Sequence, residues 1–167
     1  GKYKVNVVHN INSNLKLASG YKFKNEELKA AGANVVFGTD GAASSNNLDI
    51  LEAMKTSAFL QKAWRNDPAA MPISDMMKMA TVNSAKALGL DSGEIKEGKL
   101  ADIVLVNTNS PAFVPQANFL GNLIYSANSS CVDTVICNGK IVMEKRKVAG
   151  EAEILENVNR LYRKLMN

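Results

Sequence analysis

The chain has 167 residues and a net charge of +4, with 46% hydrophobic and 22% charged residues. This composition is ordinary for a globular domain and excludes a low-complexity or intrinsically disordered chain. Its basic residues are scattered and do not alternate with aromatic residues, so we expect no nucleic-acid partner. We also expect no membrane partner, because no apolar run approaches the roughly 20 residues that a membrane-spanning helix needs.

The cysteine content and the start of the chain indicate its cellular setting. Cys131 and Cys137 are too few for a disulfide framework and lack the spacing of a metal site. We expect two reduced thiols in or near a strand, which favours a cytoplasmic protein. The chain has no secretory signal, and it starts almost directly on a predicted strand without an initiating methionine. We therefore expect it to be part of a larger protein.

The first half of the chain alternates short apolar strands with helical segments. The predicted strands are residues 4–8 and 34–37, and the predicted helices are residues 25–31, 48–64, 74–80 and 81–88. We expect a turn at HNINSN after the first strand, a cap at Asn46 or Asn47 for the longest helix, and a stop at Gly89. The methionines of residues 74–80 are expected in the core. This order is typical of consecutive βα units of a parallel sheet.

The second half of the chain is richer in strand patterns. A strand is predicted at residues 102–106, an irregular segment at 111–130, and a hairpin whose turn is Asn138-Gly139. An amphipathic helix is predicted at residues 151–166. The change of pattern after Gly89 predicts two units, residues 1–89 and residues 90–167.

One short segment points to chemistry: GTDGAASSNN, which runs from Gly38 to Asn47 and follows the second predicted strand. Asp40 lies at the carboxyl end of that strand, which is the edge where parallel α/β barrels build their active sites. A carboxylate there can bind a metal or accept a proton during a reaction. An aspartate that only ends a strand in a turn would have the same pattern, so both interpretations are open at this point.

Four segments resemble the amidohydrolase superfamily in the same order and at similar spacing. They are His9 to Gly20 (HNINSNLKLASG), Ala33 to Lys62, Ser92 to Val106 (SGEIKEGKLADIVLV) and Val135 to Met143 (VICNGKIVM). The match is closest to the 5-methylthioadenosine/S-adenosylhomocysteine deaminases and the related chlorohydrolase-like aminohydrolases. The resemblance implies an α/β chain that is the C-terminal portion of a metal-dependent (β/α)8 barrel. It would contain the last two βα units, part of a small β-sandwich and a C-terminal helix.

The resemblance also implies roles for individual residues. Asp40 corresponds to the aspartate of the last barrel strand, which binds a divalent metal, zinc in this interpretation, and handles a proton beside the nucleoside substrate. His9 corresponds to a histidine that lines the substrate pocket. An equally open interpretation is that His9 only makes hydrogen bonds within its own loop. Ile11 departs from the pattern because proline usually stands there. Asn14 and Ser19 of the same loop are expected to make local hydrogen bonds.

Our first hypothesis is a fragment of a metal-dependent aminohydrolase that deaminates an adenosine-like nucleoside. One histidine and one strand-end aspartate cannot supply the roughly three protein ligands of a catalytic zinc, so we expect the chain alone to be inactive and to bind metal weakly. The alternatives are a non-catalytic assembly module and another amidohydrolase reaction, such as guanine or cytosine deamination or dechlorination. We also expect self-association, because two strands leave an open sheet edge.

Overall fold

The computed structural model describes residues 1–166. Its strands are β1 (Asn6–His9), β2 (Asn34–Phe37), β3 (Ile103–Val106), β4 (Val132–Cys137) and β5 (Lys140–Met143). Its α-helices are α1 (Ile11–Lys16), α2 (Asn25–Ala30), α3 (Ala42–Ser45), α4 (Ile50–Arg65), α5 (Ile73–Ala80), α6 (Val82–Leu88), α7 (Phe119–Gly121) and α8 (Glu151–Met166). Short 3-10 turns at Pro111–Phe113 and Ser129–Cys131 and a π-helical turn at Asn122–Ser126 complete the fold.

The first two strands form a parallel pair whose ends are aligned. Asn6 lies opposite Asn34 and His9 lies opposite Phe37, so β1 and β2 are in register along their whole length. The carboxyl ends of both strands therefore meet at one edge, where His9 leads into α1 and Phe37 leads into the glycine-aspartate loop. The predicted parallel βα order is confirmed, with β1 starting and ending slightly later than expected.

The predicted turn at HNINSN is wrong, because this segment forms most of helix α1. Asn14 N–H donates to the carbonyl of Asn10 at 2.9 Å, which begins the helical hydrogen bonds. Ile11 is only 1% exposed, and its burial anchors the helix against the protein. Packing of this one apolar residue thus overrides the preference of the asparagines and serine for a turn.

The longest central helix starts at Ile50, two residues later than predicted, and its cap is neither Asn46 nor Asn47. Asp49 is the N-cap: its Oδ1 accepts hydrogen bonds from the backbone of Leu51 at 2.9 Å and of Glu52 at 3.2 Å. Leu48 lies outside the helix and is 63% exposed. An aspartate also complements the positive N-terminal end of the helix dipole, which an asparagine does not.

The main core lies between β2 and the helices that follow it. Its buried members are Val35, Phe37, Met54, Ala58, Met71, Met76, Met79 and Ile124. The predicted core position of the α5 methionines is therefore confirmed for Met76 and Met79. Ile124 belongs to the second half of the sequence and packs into this core, so the segment around Ile124 contacts the first half. The division of the chain into two units between residues 89 and 90 stays a prediction.

The remaining strands form a separate antiparallel sheet in the order β3-β4-β5. Asn138 and Gly139 form the turn between β4 and β5 with φ angles of 47° and 74°, which confirms the predicted hairpin. Such positive φ angles suit asparagine and glycine and explain why this dipeptide marks the turn.

The C-terminal helix α8 is confirmed over Glu151–Met166, and all of its apolar side chains are exposed. Both cysteines are free, Cys131 buried and Cys137 exposed. Within residues 1–166, no helix combines the length and the apolar character needed to cross a membrane.

Candidate active site

Asp40 lies in the loop between β2 and α3, at the edge where both parallel strands end. Its backbone has a φ of 59°, a left-handed conformation that aspartate tolerates better than most residues. Gly38 precedes it in a crowded position, because a Cβ there would stand 2.3 Å from Asn10 Oδ1 and 2.6 Å from Val8 Cγ1. The glycine therefore allows this loop to pass close to the end of β1, and the loop then presents Asp40 outward.

The carboxylate of Asp40 is held through both of its oxygens. Ser13 Oγ donates to Oδ2 at 2.7 Å, and Gly41 N–H donates to Oδ1 at 2.8 Å. These two hydrogen bonds, that from Ser13 foremost, lower the pKa of Asp40 below its ordinary value. Because the side chain is exposed, the carboxylate is ionised at neutral pH and still has free lone pairs for a ligand.

A second contact ties helix α1 to helix α3, which follows the Asp40 loop. Lys16 Nζ hydrogen-bonds to the side chain of Asn46, the residue after α3, and lies 3.5 Å from the carbonyl of Ala43 in α3. Ser13 and Lys16 are one helical turn apart on α1. Helix α1 therefore contacts both the Asp40 loop and the helix that follows it.

His9 lies at the same sheet edge but points into the protein, where it is 1% exposed. Its Nε2 is 2.9 Å from Ser57 Oγ of α4, and its ring stacks on Phe23 with centroids 4.0 Å apart. Burial lowers the pKa of His9 from 6.5 to about 4, so the ring is neutral at pH 7. Asp40 and His9 thus have different partners: Ser13 and Gly41 for the aspartate, and Ser57 for the histidine.

The described residues do not provide a complete metal site. Among residues 1–166, no group of three or more histidine, cysteine, aspartate or glutamate side chains lies close enough together to hold an ion. A catalytic zinc takes about three protein ligands and a water molecule. The Asp40 carboxylate has the donor chemistry of one such ligand, and the described residues do not supply a set of three.

Sequence reasoning missed Ser13, which is the direct partner of Asp40. The nearby Ser19 makes the local contacts expected of this segment, since its N–H donates to the carbonyl of Asn14 at 3.0 Å. Nothing in the local pattern separates Ser13 from Ser19. The usable signal is positional: a small hydroxyl one helical turn after the end of β1 can reach the loop after the neighbouring parallel strand.

A comparison with protein families identifies the family to which this chain belongs. Residues 2–142 match the model of the amidohydrolase family. The chain belongs to the amidohydrolase family. The match includes β1, α1, β2 and the loop that carries Asp40.

Several relatives of this amidohydrolase chain are deaminases. It is 48% identical over 155 residues to a 5'-deoxyadenosine deaminase of Methanoregula boonei, a match that covers 93% of this chain and 35% of that protein. It is 44% identical over 164 residues to 5-methylthioadenosine/S-adenosylhomocysteine deaminase 1 of Archaeoglobus fulgidus, with 96% and 39% covered. The chain therefore spans about a third of the length of the curated relatives it matches.

A solved structure has the same fold over nearly the whole amidohydrolase chain. An adenosine deaminase from Xanthomonas campestris with bound zinc superposes with a TM-score of 0.88 and 37% identity. The match covers 96% of this chain and 37% of that protein. The isolated pair of parallel strands and the separate antiparallel sheet thus occur together in a larger zinc-containing protein.

Proposed function

We propose that this chain supplies the Asp40 part of a zinc-dependent active site that deaminates an adenosine-like nucleoside. The observation that carries the proposal is the carboxylate itself: exposed, ionised, held by Ser13 and Gly41, and placed at the carboxyl edge of two parallel strands. The deaminase relatives and the zinc-containing structural neighbour support the choice of reaction and metal.

The same proposal assigns the architecture. We propose that β1 and β2 with the helices that follow them are the last two βα units of a (β/α)8 barrel. The β3-β4-β5 sheet would be part of a small β-sandwich, as the family resemblance implies. The separation of the two sheets supports this assignment, because strands of one barrel would share a single hydrogen-bonded sheet.

Asp40 would transfer a proton from water to the leaving amino group in the proposed reaction. When bound, zinc lowers the pKa of a water molecule toward about 7. As the water oxygen bonds to the purine carbon that carries the amino group, the carboxylate accepts the water proton. Asp40 then returns the proton to the amino nitrogen, the carbon–nitrogen bond breaks, and ammonia leaves. Asp40 is ionised at neutral pH, so it has no proton of its own and can accept the one from water.

His9 remains a predicted substrate contact. Its ring is stacked on Phe23 and almost completely buried, so in the described conformation it is closed to a substrate. In the described conformation, the bond to Ser57 makes His9 a link between the end of β1 and helix α4.

The first test measures the chain as it is. Purified chain incubated with excess zinc is passed over a desalting column, and its metal content and its turnover of 5'-deoxyadenosine and 5-methylthioadenosine are measured. We expect far less than one zinc per chain and no ammonia release. Stoichiometric zinc or turnover by the chain alone would contradict a shared site.

The second test joins this chain to the two-thirds of a deaminase that the chain does not cover. In a hybrid enzyme, this chain replaces the matching part of the Methanoregula boonei deaminase, to which it is 48% identical. We expect the hybrid to release ammonia from 5'-deoxyadenosine, and Asp40→Asn to abolish this activity. Asp67→Asn is the matched control and should keep it, because Asp67 lies in the exposed turn after α4. Full activity of the Asp40→Asn hybrid would refute the proposal.

A further inference from the structure

We propose that Ser13 is a positioning residue for Asp40, which holds the carboxylate in the orientation that the metal and the attacking water require. The inference rests on the proposed function, since it assigns a second residue to the same site. It starts from one contact, the 2.7 Å hydrogen bond from Ser13 Oγ to Asp40 Oδ2.

Without Ser13, the carboxylate of Asp40 would be held less firmly. Asp40 is exposed and sits in a loop, and the backbone N–H of Gly41 holds only Oδ1. One hydrogen bond to one oxygen restrains rotation about the Cβ–Cγ bond, but less firmly than two bonds do. The second bond, from Ser13 to Oδ2, fixes the plane of the carboxylate. Each oxygen keeps a lone pair, so both remain able to bind a ligand.

Ser13 is itself placed firmly enough to do this. It is 3% exposed, and it lies in α1 two residues after the buried Ile11. Lys16, one turn later, joins the same helix to Ala43 of α3 and to Asn46, the residue after α3. Movement of Ser13 relative to Asp40 would therefore disrupt packing and a second contact as well.

The hydroxyl of Ser13 donates outside its own helix. A buried serine in a helix commonly donates to the carbonyl three or four residues earlier, here Asn10 or His9. Ser13 donates instead to a residue 27 positions away in the sequence. This is the contact pattern of a residue that supports a metal ligand.

The experiment compares three variants in the zinc-loaded hybrid enzyme. Ser13→Ala removes the hydroxyl, Ser13→Thr retains it, and Ser19→Ala is the matched control because Ser19 is exposed and lies in the same segment. We expect Ser13→Ala to lower kcat about 10- to 100-fold with little change in KM, as is typical when a residue behind a metal ligand is lost. Ser13→Thr should recover most of kcat, and Ser19→Ala should match the parent hybrid.

A readout independent of turnover uses cobalt in place of zinc. We expect the visible cobalt absorption of Ser13→Ala to differ from that of the parent hybrid, because a rotated carboxylate changes the geometry around the metal. A parent-like kcat and cobalt spectrum in Ser13→Ala, together with an inactive Asp40→Asn, would overturn the role of Ser13 alone. Full activity in Asp40→Asn would instead overturn the proposed function from which this inference starts.

Discussion

Acid is expected to destabilise the chain through His9, its single histidine. In the folded state the buried ring binds a proton with a pKa of about 4, whereas in the unfolded chain the value returns to about 6.5. The unfolded state therefore binds more protons between these two values, and the free energy of unfolding falls as the pH falls through this range. At higher pH the ring is neutral in both states and has no effect.

The two pKa values set the size of the loss. Their full difference corresponds to about 3 kcal/mol, which is reached only near and below the folded pKa. Between about pH 7.5 and about pH 5, where carboxylates titrate little, we expect a loss of about 2 kcal/mol. Solvent screening does not reduce this loss, because the His9 side chain is only 1% exposed.

Urea unfolding of the chain at these two pH values measures the loss, with His9→Gln as the control. Glutamine can still hydrogen-bond to Ser57 but does not titrate, so the variant should have a nearly flat stability over the same range. NMR titration of the ring protons adds a direct readout, unambiguous because there is only one histidine. Equal pH dependence in both proteins, or a ring pKa near 6.5 in the folded chain, would refute the reasoning.

Three further predictions concern packing, capping and association. Met54→Ala should lower the free energy of unfolding by about 2–5 kcal/mol in urea titrations, because Met54 is 1% exposed. The exposed Met166→Ala should change it by less than about 0.5 kcal/mol, and similar losses in both would contradict this. Asp49→Ala should cost about 1 kcal/mol by removing the cap of α4, whereas Asp49→Asn should largely keep it. The isolated chain should show a molar mass that rises with concentration in light scattering, because α8 leaves its apolar side chains exposed. Leu161→Lys should reduce that rise while Asn159→Lys should not, and a monomer at every concentration would count against association.

Some elements were predictable because local chemistry decides them. Strand β2 (Asn34–Phe37) has the bounds expected from its apolar run. The β4–β5 hairpin turns at Asn138-Gly139, since these two residues tolerate the positive φ angles of a tight turn. Helix α6 ends at Gly89, which adopts the left-handed conformation of a helix stop. In each case the determining interaction lies within a few residues of the chain.

Other features depended on distant residues and were missed for that reason. Helix α1 forms from turn-prone residues because Ile11 is buried by the rest of the protein. Three neighbouring polar residues, Asn46, Asn47 and Asp49, could each cap α4, and only the path of the loop selects Asp49. Local patterns cannot supply these decisions, because they contain no information on which surfaces meet.

The sequence by itself determined the family, the order of the strands and of five helices (α2, α4, α5, α6 and α8), and the position of Asp40 just after a strand. The tertiary structure alone decided what surrounds that carboxylate. It brings Ser13 to Asp40 and turns His9 inward to Ser57. The physical reason is the parallel pairing of β1 and β2: it aligns two strand ends that are far apart in the chain, and side chains following each end can then form hydrogen bonds that no local spacing encodes.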